Sequence, residues 1–230
     1  MIVSITQPAY IPWIGFFDRL IQSDINIVLD HVSMDMNSKT KFTNRNKIRT
    51  AEGWNWLSIP IVNSRKNRET PICDLKINDL IPWKIKHWKT IQFNYSKTKY
   101  FSYYASFFEN AYKDDWYNLV SFLSHINNYL IKELNIKTKI IKSSDLKPEL
   151  SKSNLILELC QKVGAKRYIS GPFGRDYLDT KAFKNSGIDI HYHDYTHPTY
   201  SQAYDGFESH MSIIDLLFNH GKDSLDILKT

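Results

Sequence analysis

The sequence predicts an α/β chain: a largely parallel sheet built from βαβ units at both ends, with a helical insertion in the middle. Three observations carry this. Residues 2–29 read as strand, helix and strand within a length that suits one βαβ unit. Residues 83–135 place their apolar and aromatic side chains at helical spacing. From residue 139 onward, short β-branched runs again alternate with helical stretches.

In order, Ile2 to Thr6 is an apolar, β-branched run and reads as a strand. Trp13, Phe16, Phe17, Leu20 and Ile21 then fall on one helix face. Ile25 to Leu29 is a second buried strand, which a helical crossover should make parallel to the first. Trp56 to Val62 and Leu75 to Ile77 read as further strands. Helices follow around Lys84 to Asn94 and Tyr100 to Tyr112. A third carries the stripe Trp116, Leu119, Val120, Leu123, Ile126, Asn127 and Leu130, with Asp114 and Asp115 near its positive end. Lys139 to Ile141 is a short strand. Ser153 is the expected N-cap of a helix from Asn154 to Val163, and Gly164 suits its end. Arg167 to Ser170 and Ile188 to Tyr192 are strands, with a helix or turn around Tyr177 to Asn185 between them. Ser209 or Ser212 starts a last helix, Ile213 to Asn219, and Gly221 stops it. One α/β domain is expected over residues 1–230, with 83–135 as a helical cap.

Composition narrows the class. The 230 residues are 42% hydrophobic and 23% charged, which suits one sizeable core and excludes global disorder. No apolar run approaches the roughly 18 residues of a membrane span. The opening MIVSITQPAYIPW lacks a basic segment and a small-residue cleavage site, so it does not read as a secretory signal. Cys73 and Cys160 make neither a disulfide framework nor a zinc cluster, and a cytoplasmic protein is expected. The net charge is +6, with a pI near 9.1. Scattered lysines account for most of it, but the stretch Lys39 to Arg49 is dense enough to suit a phosphate-bearing partner. Aromatic residues reach 14%, and such amphipathic rings often line ligand grooves.

In a parallel sheet, ligands bind beyond the carboxyl ends of the strands. Four loops in those places are polar, aromatic and marked by Gly or Pro. They are Gln7 to Trp13, Asp30-His31 with the run that follows, Gly171 to Tyr177, and His193 to Gln202. Ser170-Gly171-Pro172-Phe173-Gly174 fits a phosphate-cradling loop or a plain tight turn about equally. It matches neither the P-loop nor the dinucleotide fingerprint. Arg175 suits a phosphate, a carboxylate or a neighbouring Asp. His191, His193 and His197 form an H-x-H-x3-H run, but no further Cys or carboxylate completes a metal pattern. His197, between aromatics and next to Pro198, is placed to move a proton near neutral pH. Cys160 falls on an apolar helix face beside Ile156 and Leu159 and reads as packing.

Taken together, QPAYIPWIGFFDRL, NIVLDHV, NRNKIR and WLSIPIV, followed by YISGPFGRDYLD, HPTYSQ and SIIDLLFNHG, resemble the WbqC-like proteins. Trp83 to His87 and Tyr100-Phe101 fit as well, so the resemblance covers nearly the whole chain. The matching residues are Gln7, Pro8, Tyr10, Pro12, Trp13, Gly15, Phe16, Asp30, Asn44, Arg45, Ser170, Gly171, Tyr177, His197, Pro198, Tyr200, Gln202 and Asp215. Where the family has a second acidic residue after Asp30, His31 stands here.

The resemblance implies a setting in bacterial O-antigen or other surface-polysaccharide synthesis. It also implies an acyl or aminoacyl transferase, possibly of glycine, acting on the amine of a nucleotide- or lipid-linked amino sugar. On that reading His197 is the base, or Asp30 in its place. Gln7, Asn44 and backbone N–H groups near Gly171 hold the oxyanion or substrate. Arg45 and Arg175 bind phosphate, while Tyr10, Trp13 and Tyr200 stack on sugar or base. Ser170, Tyr177 and Gln202 complete the binding set. No sequence pattern fixes a cofactor, so ATP, coenzyme A and an aminoacyl-tRNA donor all stay open, and nucleic acid is expected only as such a donor. The alternative is a non-catalytic nucleotide-sugar or partner-binding protein of polysaccharide assembly.

Overall fold

The computed structural model describes residues 1–34, 42–62 and 69–229. The elements run β1 (Ile2–Thr6), α1 (Ile14–Ile21), β2 (Ile25–Val28), β3 (Arg45–Thr50), β4 (Gly53–Ser58), α2 (Trp83–Tyr95), α3 (Phe101–Lys113) and α4 (Leu119–Glu133). They continue with β5 (Lys139–Lys142), α5 (Ser143–Leu146), α6 (Lys152–Lys162), β6 (Arg167–Ser170), α7 (Thr180–Asn185), β7 (Asp189–Tyr192), α8 (Ile213–His220) and α9 (Ser224–Leu228). The chain divides into two compact units. The sheet unit holds Met1–Gln7, Asp18–His31 and Ile136–Thr196. The helical unit holds Pro8–Phe17, Val32–Asn135 and His197–Thr230.

The sheet unit has the expected α/β character. Its five strands lie in the order β5-β2-β1-β6-β7, and every neighbouring pair is parallel. The apolar strand sequences suit burial on both faces, and Val3 and Ile27 are fully buried. A buried polar chain crosses the centre: Thr6 Oγ1 donates to Asn26 Oδ1, and Asn26 Nδ2 donates to Ser4 Oγ. It satisfies Asn26 where an unpaired amide would be costly. Cys160 is buried in α6, where burial alone pushes its thiol up to about 12, so packing is its role. Gly164 ends α6 at φ +72°, as the sequence implies. The N-cap differs, however. Ser151 occupies that position, while Ser153 Oγ accepts from the Asp179 N–H.

The helical unit confirms α2, α3 and α4 in the middle of the chain. Asn118 caps α4 by accepting from the Ser121 N–H, so Asp114 and Asp115 lie ahead of the helix. The antiparallel ribbon β3–β4 is the main departure from the sequence reading. In Arg45 to Thr50 the part-exposed cations Arg45 and Lys47 alternate with buried Asn46 and Ile48, while Arg49 is itself buried, a strand pattern hidden inside a basic run. Lys39, Thr40 and Lys41 of that run lie outside the described residues. Leu75 to Ile77 forms only isolated bridges, Ile61 to Ile77 and Lys76 to Asn118. Much of the aromatic content is core here: Phe218 of α8 is fully buried against Tyr95, Phe101 and Phe108, at ring centroid distances of 5.3, 5.3 and 5.7 Å. Gly221 follows α8 at φ +58°, and a methyl built on it would lie 2.6 Å from the Tyr100 ring.

One buried acid organises this unit. Asp215 in α8 is fully buried, and its Oδ2 accepts from Tyr200 Oη at 2.9 Å and Gln202 Nε2 at 2.8 Å. Gln202 Oε1 accepts from Arg49 Nε at 3.2 Å and from the Glu208 N–H at 2.9 Å. The Arg49 guanidinium also donates to the carbonyls of Thr50, Gly53 and Asp205. Burial raises the Asp215 carboxyl to about 6, and the donors from Tyr200, Tyr95 and Gln202 offset only part of that.

Two outcomes follow. Ile27→Ala should cost about 2–5 kcal/mol in urea unfolding, because a fully buried central-strand side chain leaves a cavity. The folded Asp215 holds its proton more tightly than the unfolded chain does, so between about pH 4 and 6 the folded state binds more protons. Stability therefore falls as pH rises through that window, by about 3 kcal/mol from this group. Urea unfolding of wild type and Asp215→Asn at pH 4 to 7 should show that loss in wild type only. Parallel curves would exclude it.

Candidate functional site

Because all five strands are parallel, their carboxyl ends lie along one edge of the sheet unit. The chain progresses from β1 to β2 and β5 on one side, and to β6 and β7 on the other. The order therefore reverses between β1 and β6, the position where open parallel sheets take ligands. Gln7 follows β1 and is exposed. Asp30 and His31 follow β2, Ser170 and Gly171 close β6, and His193 follows β7.

Asp30 is 1% exposed, and its carboxylate is fully engaged. Oδ1 accepts from Ser143 Oγ at 3.0 Å and the Ser144 N–H at 2.9 Å, while Oδ2 accepts from Ser144 Oγ at 2.8 Å. The acid thus holds the start of α5. His31 Nδ1 meets the same Ser143 Oγ at 2.5 Å, and burial lowers its pKa. Arg175 is exposed and lies over the Tyr192 ring, 4.5 Å from its centroid. Tyr177 is exposed at the end of the same loop. Ser170 Oγ donates to the Gly171 carbonyl at 3.0 Å, and a methyl built on Gly174 would collide with it. Glycine at 174 is therefore explained by packing against Ser170.

Sequence reasoning missed Arg19 on this edge and placed His193 only in an incomplete metal run and the loop after β7. His193 Nε2 lies 2.6 Å from Asp18 Oδ2, a bridge with side chains only 7% and 13% exposed. The backbone N–H of His193 donates to the Ser170 carbonyl at 2.8 Å. Arg19, next to Asp18, is mostly buried, and its Nε is shielded without an acceptor. Burial lowers its pKa, and Tyr168 and Tyr177 stand near it. The available signal was the pair Asp18-Arg19 inside the otherwise apolar IGFFDRLI of α1.

The helical unit holds a cavity of about 580 Å³, within the range of small-molecule sites. Asn44, Arg45, Asn78, Lys86 and His87 supply its polar wall, and Ile59, Pro60, Ile81 and Trp83 its apolar one. Asn44 Nδ2 donates to the Ile59 carbonyl at 2.9 Å, and Arg45 lies 4.2 Å over the Trp56 ring. Two expected residues therefore line one cavity. Asn78, Lys86 and His87 were not foreseen as wall residues, although His87 lies in a segment that carried the resemblance. Tyr10 is fully buried behind the wall, its hydroxyl bonded to His87 Nδ1 at 2.9 Å and to Tyr112 Oη. Burial drives His87 down to about 4, so its ring is neutral at pH 7.

The remaining expected residues form a second cluster of this unit. Trp13 stacks on His197 at 6.5 Å and packs on His210 at 5.1 Å. His197 Nδ1 meets the Pro198 carbonyl at 2.8 Å, and Nε2 accepts from the His210 N–H at 3.0 Å. Both ring nitrogens are engaged, and burial lowers the pKa. Tyr200 and Gln202 belong to the Asp215 network.

The chain as a whole is similar to known proteins. The model of the WbqC-like protein family matches residues 7–227. Uncharacterized protein Rv1507c of Mycobacterium tuberculosis (strain ATCC 25618 / H37Rv) is 34% identical over 233 residues, covering 99% of this chain and 97% of that protein. No solved structure matches. With a family model spanning almost the whole chain and a relative similar along its full length, the chain belongs to the WbqC-like protein family.

Proposed function

We propose that the chain binds a nucleotide- or lipid-linked amino sugar and transfers an acyl or aminoacyl group, glycine among the candidates, to its amine. The observation that carries this reading is the cavity of the helical unit. Arg45 and Lys86 match the charge of a sugar phosphate, and the amides of Asn44 and Asn78 suit sugar hydroxyls. The Trp83 indole and Ile59 offer apolar surface for the ring faces. Amide formation requires a base for the sugar ammonium and donors for the tetrahedral oxyanion. His197 is the proposed base, or Asp30 in its place. Each must exchange an existing hydrogen bond before it accepts a proton, which gives both a positioning duty in the resting state.

That occupancy is the observation favouring a second reading, a non-catalytic protein that holds the same ligand. The two readings share the cavity and differ only in turnover.

Isothermal titration with UDP-, dTDP- and GDP-linked amino sugars tests the shared part. Binding of one of them should weaken about 10-fold or more in Arg45→Met and in Lys86→Met, the loss expected for one charged contact. Binding by none of the three would exclude the nucleotide-linked ligand, and an unchanged Kd in both variants would sink the assignment to the cavity. Product detected by mass spectrometry with an acyl or aminoacyl donor, and lost in His197→Ala or Asp30→Asn, selects the transferase. Tight binding without product under every donor selects the second reading.

A further inference from the structure

The unexplained feature of the sheet unit is Arg19. A buried guanidinium normally meets a carboxylate or several carbonyls, because desolvating an unpaired charge is costly. Arg49 of this chain shows the ordinary solution, with three backbone carbonyls and Gln202 around it. Arg19 has none of these. Among the described residues its guanidinium forms no ion pair and no hydrogen bond, and its Nε is shielded from solvent without an acceptor. The obvious counterion, the neighbouring Asp18, is already used: its Oδ2 takes His193 Nε2 at 2.6 Å and Gln22 Nε2 at 2.6 Å.

The direction of the side chain is equally specific. A methyl built on Gly171 would sit 2.9 Å from Arg19 Nη1, so the guanidinium lies against the bare Cα that follows β6. Gly171 is on the β6 side of the reversal between β1 and β6, where ligands enter such sheets. His193 is tied to the same strand end through its N–H bond to the Ser170 carbonyl. Its bridge fixes Asp18, and with it the turn of α1 that carries Arg19. Arg19 also lies in the last turn of α1, where a cation complements the helix dipole. That effect is small for a surface cation and does not account for a shielded Nε.

We propose that Arg19, backed by Gly171 and aligned by the His193–Asp18 bridge, is an oxyanion-binding site at the β1/β6 reversal, taking the phosphate or carboxylate of a small-molecule ligand. Guanidinium donors in a planar fork match both anions and bind them in bidentate fashion. The site consists of sheet-unit residues only and stands independently of the cavity reading.

The test is a thermal-shift titration with sodium phosphate, sodium pyrophosphate and sodium acetate, each against sodium chloride at matched ionic strength. In wild type, at least one of the three should give a saturable rise, about 5 °C or more at 100 times Kd. The phosphate and acetate arms tell the two anion chemistries apart. Arg19→Met should abolish the rise while leaving the anion-free Tm equal to or above wild type, because a partly buried, unpaired charge is removed. Gly171→Ala should weaken binding by pushing Nη1 aside. If Arg19→Met does not fold, Arg19→Lys decides: it keeps the charge, loses the fork, and should bind at least 10-fold more weakly. No saturable rise beyond chloride with any of the three anions overturns the proposal, as does a rise that survives unchanged in Arg19→Met, or in Arg19→Lys where that variant decides.

Discussion

The helical unit depends on one buried carboxylate. Asp215 stands in an apolar helix, among Ile213, Ile214, Leu216 and Leu217, where an acid is costly unless its environment supplies donors. Tyr200 and Gln202 supply them, which fixes the His197–Gln202 segment against α8. Gln202 passes the constraint to Arg49, and Arg49 to three backbone carbonyls of the β3–β4 turn and the Asp205 loop. The Arg49 N–H donates to Tyr95 Oη, which brings in α2. A ribbon, a loop and two helices thus take their mutual positions from one acid. The arrangement leaves that acid less favourable once ionised, so specificity of the loop is obtained at some expense of stability at neutral pH.

The sheet unit treats its buried charges in two ways, and the contrast is informative. Asp30 is saturated by the two serines and the N–H at the start of α5. Asp18 gives one oxygen, Oδ2, to both His193 and Gln22. Both resemble Asp215 in serving local geometry. Arg19 is the exception in the same unit. Folding tolerates such an exception only when the rest of the structure compensates, and exceptions of this kind gather where a ligand completes the pairing.

The sequence announced β1, α1 and β2 because an apolar, β-branched run, a helical apolar period and a second apolar run follow one another within thirty residues. It announced α8 through Ser209 or Ser212 at its start and Gly221 at its end, and Ser212 and Gly221 do cap it. It concealed β3, since Arg45-Asn46-Lys47-Ile48-Arg49 reads as a basic loop until the alternate burial of Asn46 and Ile48 is seen. The N-cap of α6 was missed for a subtler reason. Ser153 has the right side chain, but a tertiary bond from the Asp179 N–H claims it. The same logic governs the sites. Asn44 and Arg45 were legible through the family resemblance of NRNKIR and do line the cavity. Arg19 and His193 were not, because their meaning depends on a parallel sheet that brings residues 18 and 193 within 2.6 Å.

The surplus of positive charge acquires a more definite meaning in the ribbon. Lys47 lies 3.9 Å over Trp54, and Arg45 lies 4.2 Å over Trp56, so two of its cations are parked on indole faces. Each contact is worth only about 0.5–1 kcal/mol at an exposed site. Its larger effect is on entropy: a flexible cation held over a ring has fewer rotamers to lose when it meets an anion. Arg45 belongs to both the ribbon and the cavity wall, so the pre-positioned charge is delivered to the cavity. A loose basic surface would attract polyanions by charge alone, with a steep dependence on salt. On the proposed reading, a cation fixed by an indole beside the amide of Asn44 discriminates by geometry, which is what a small phosphorylated ligand requires and a general polyanion does not.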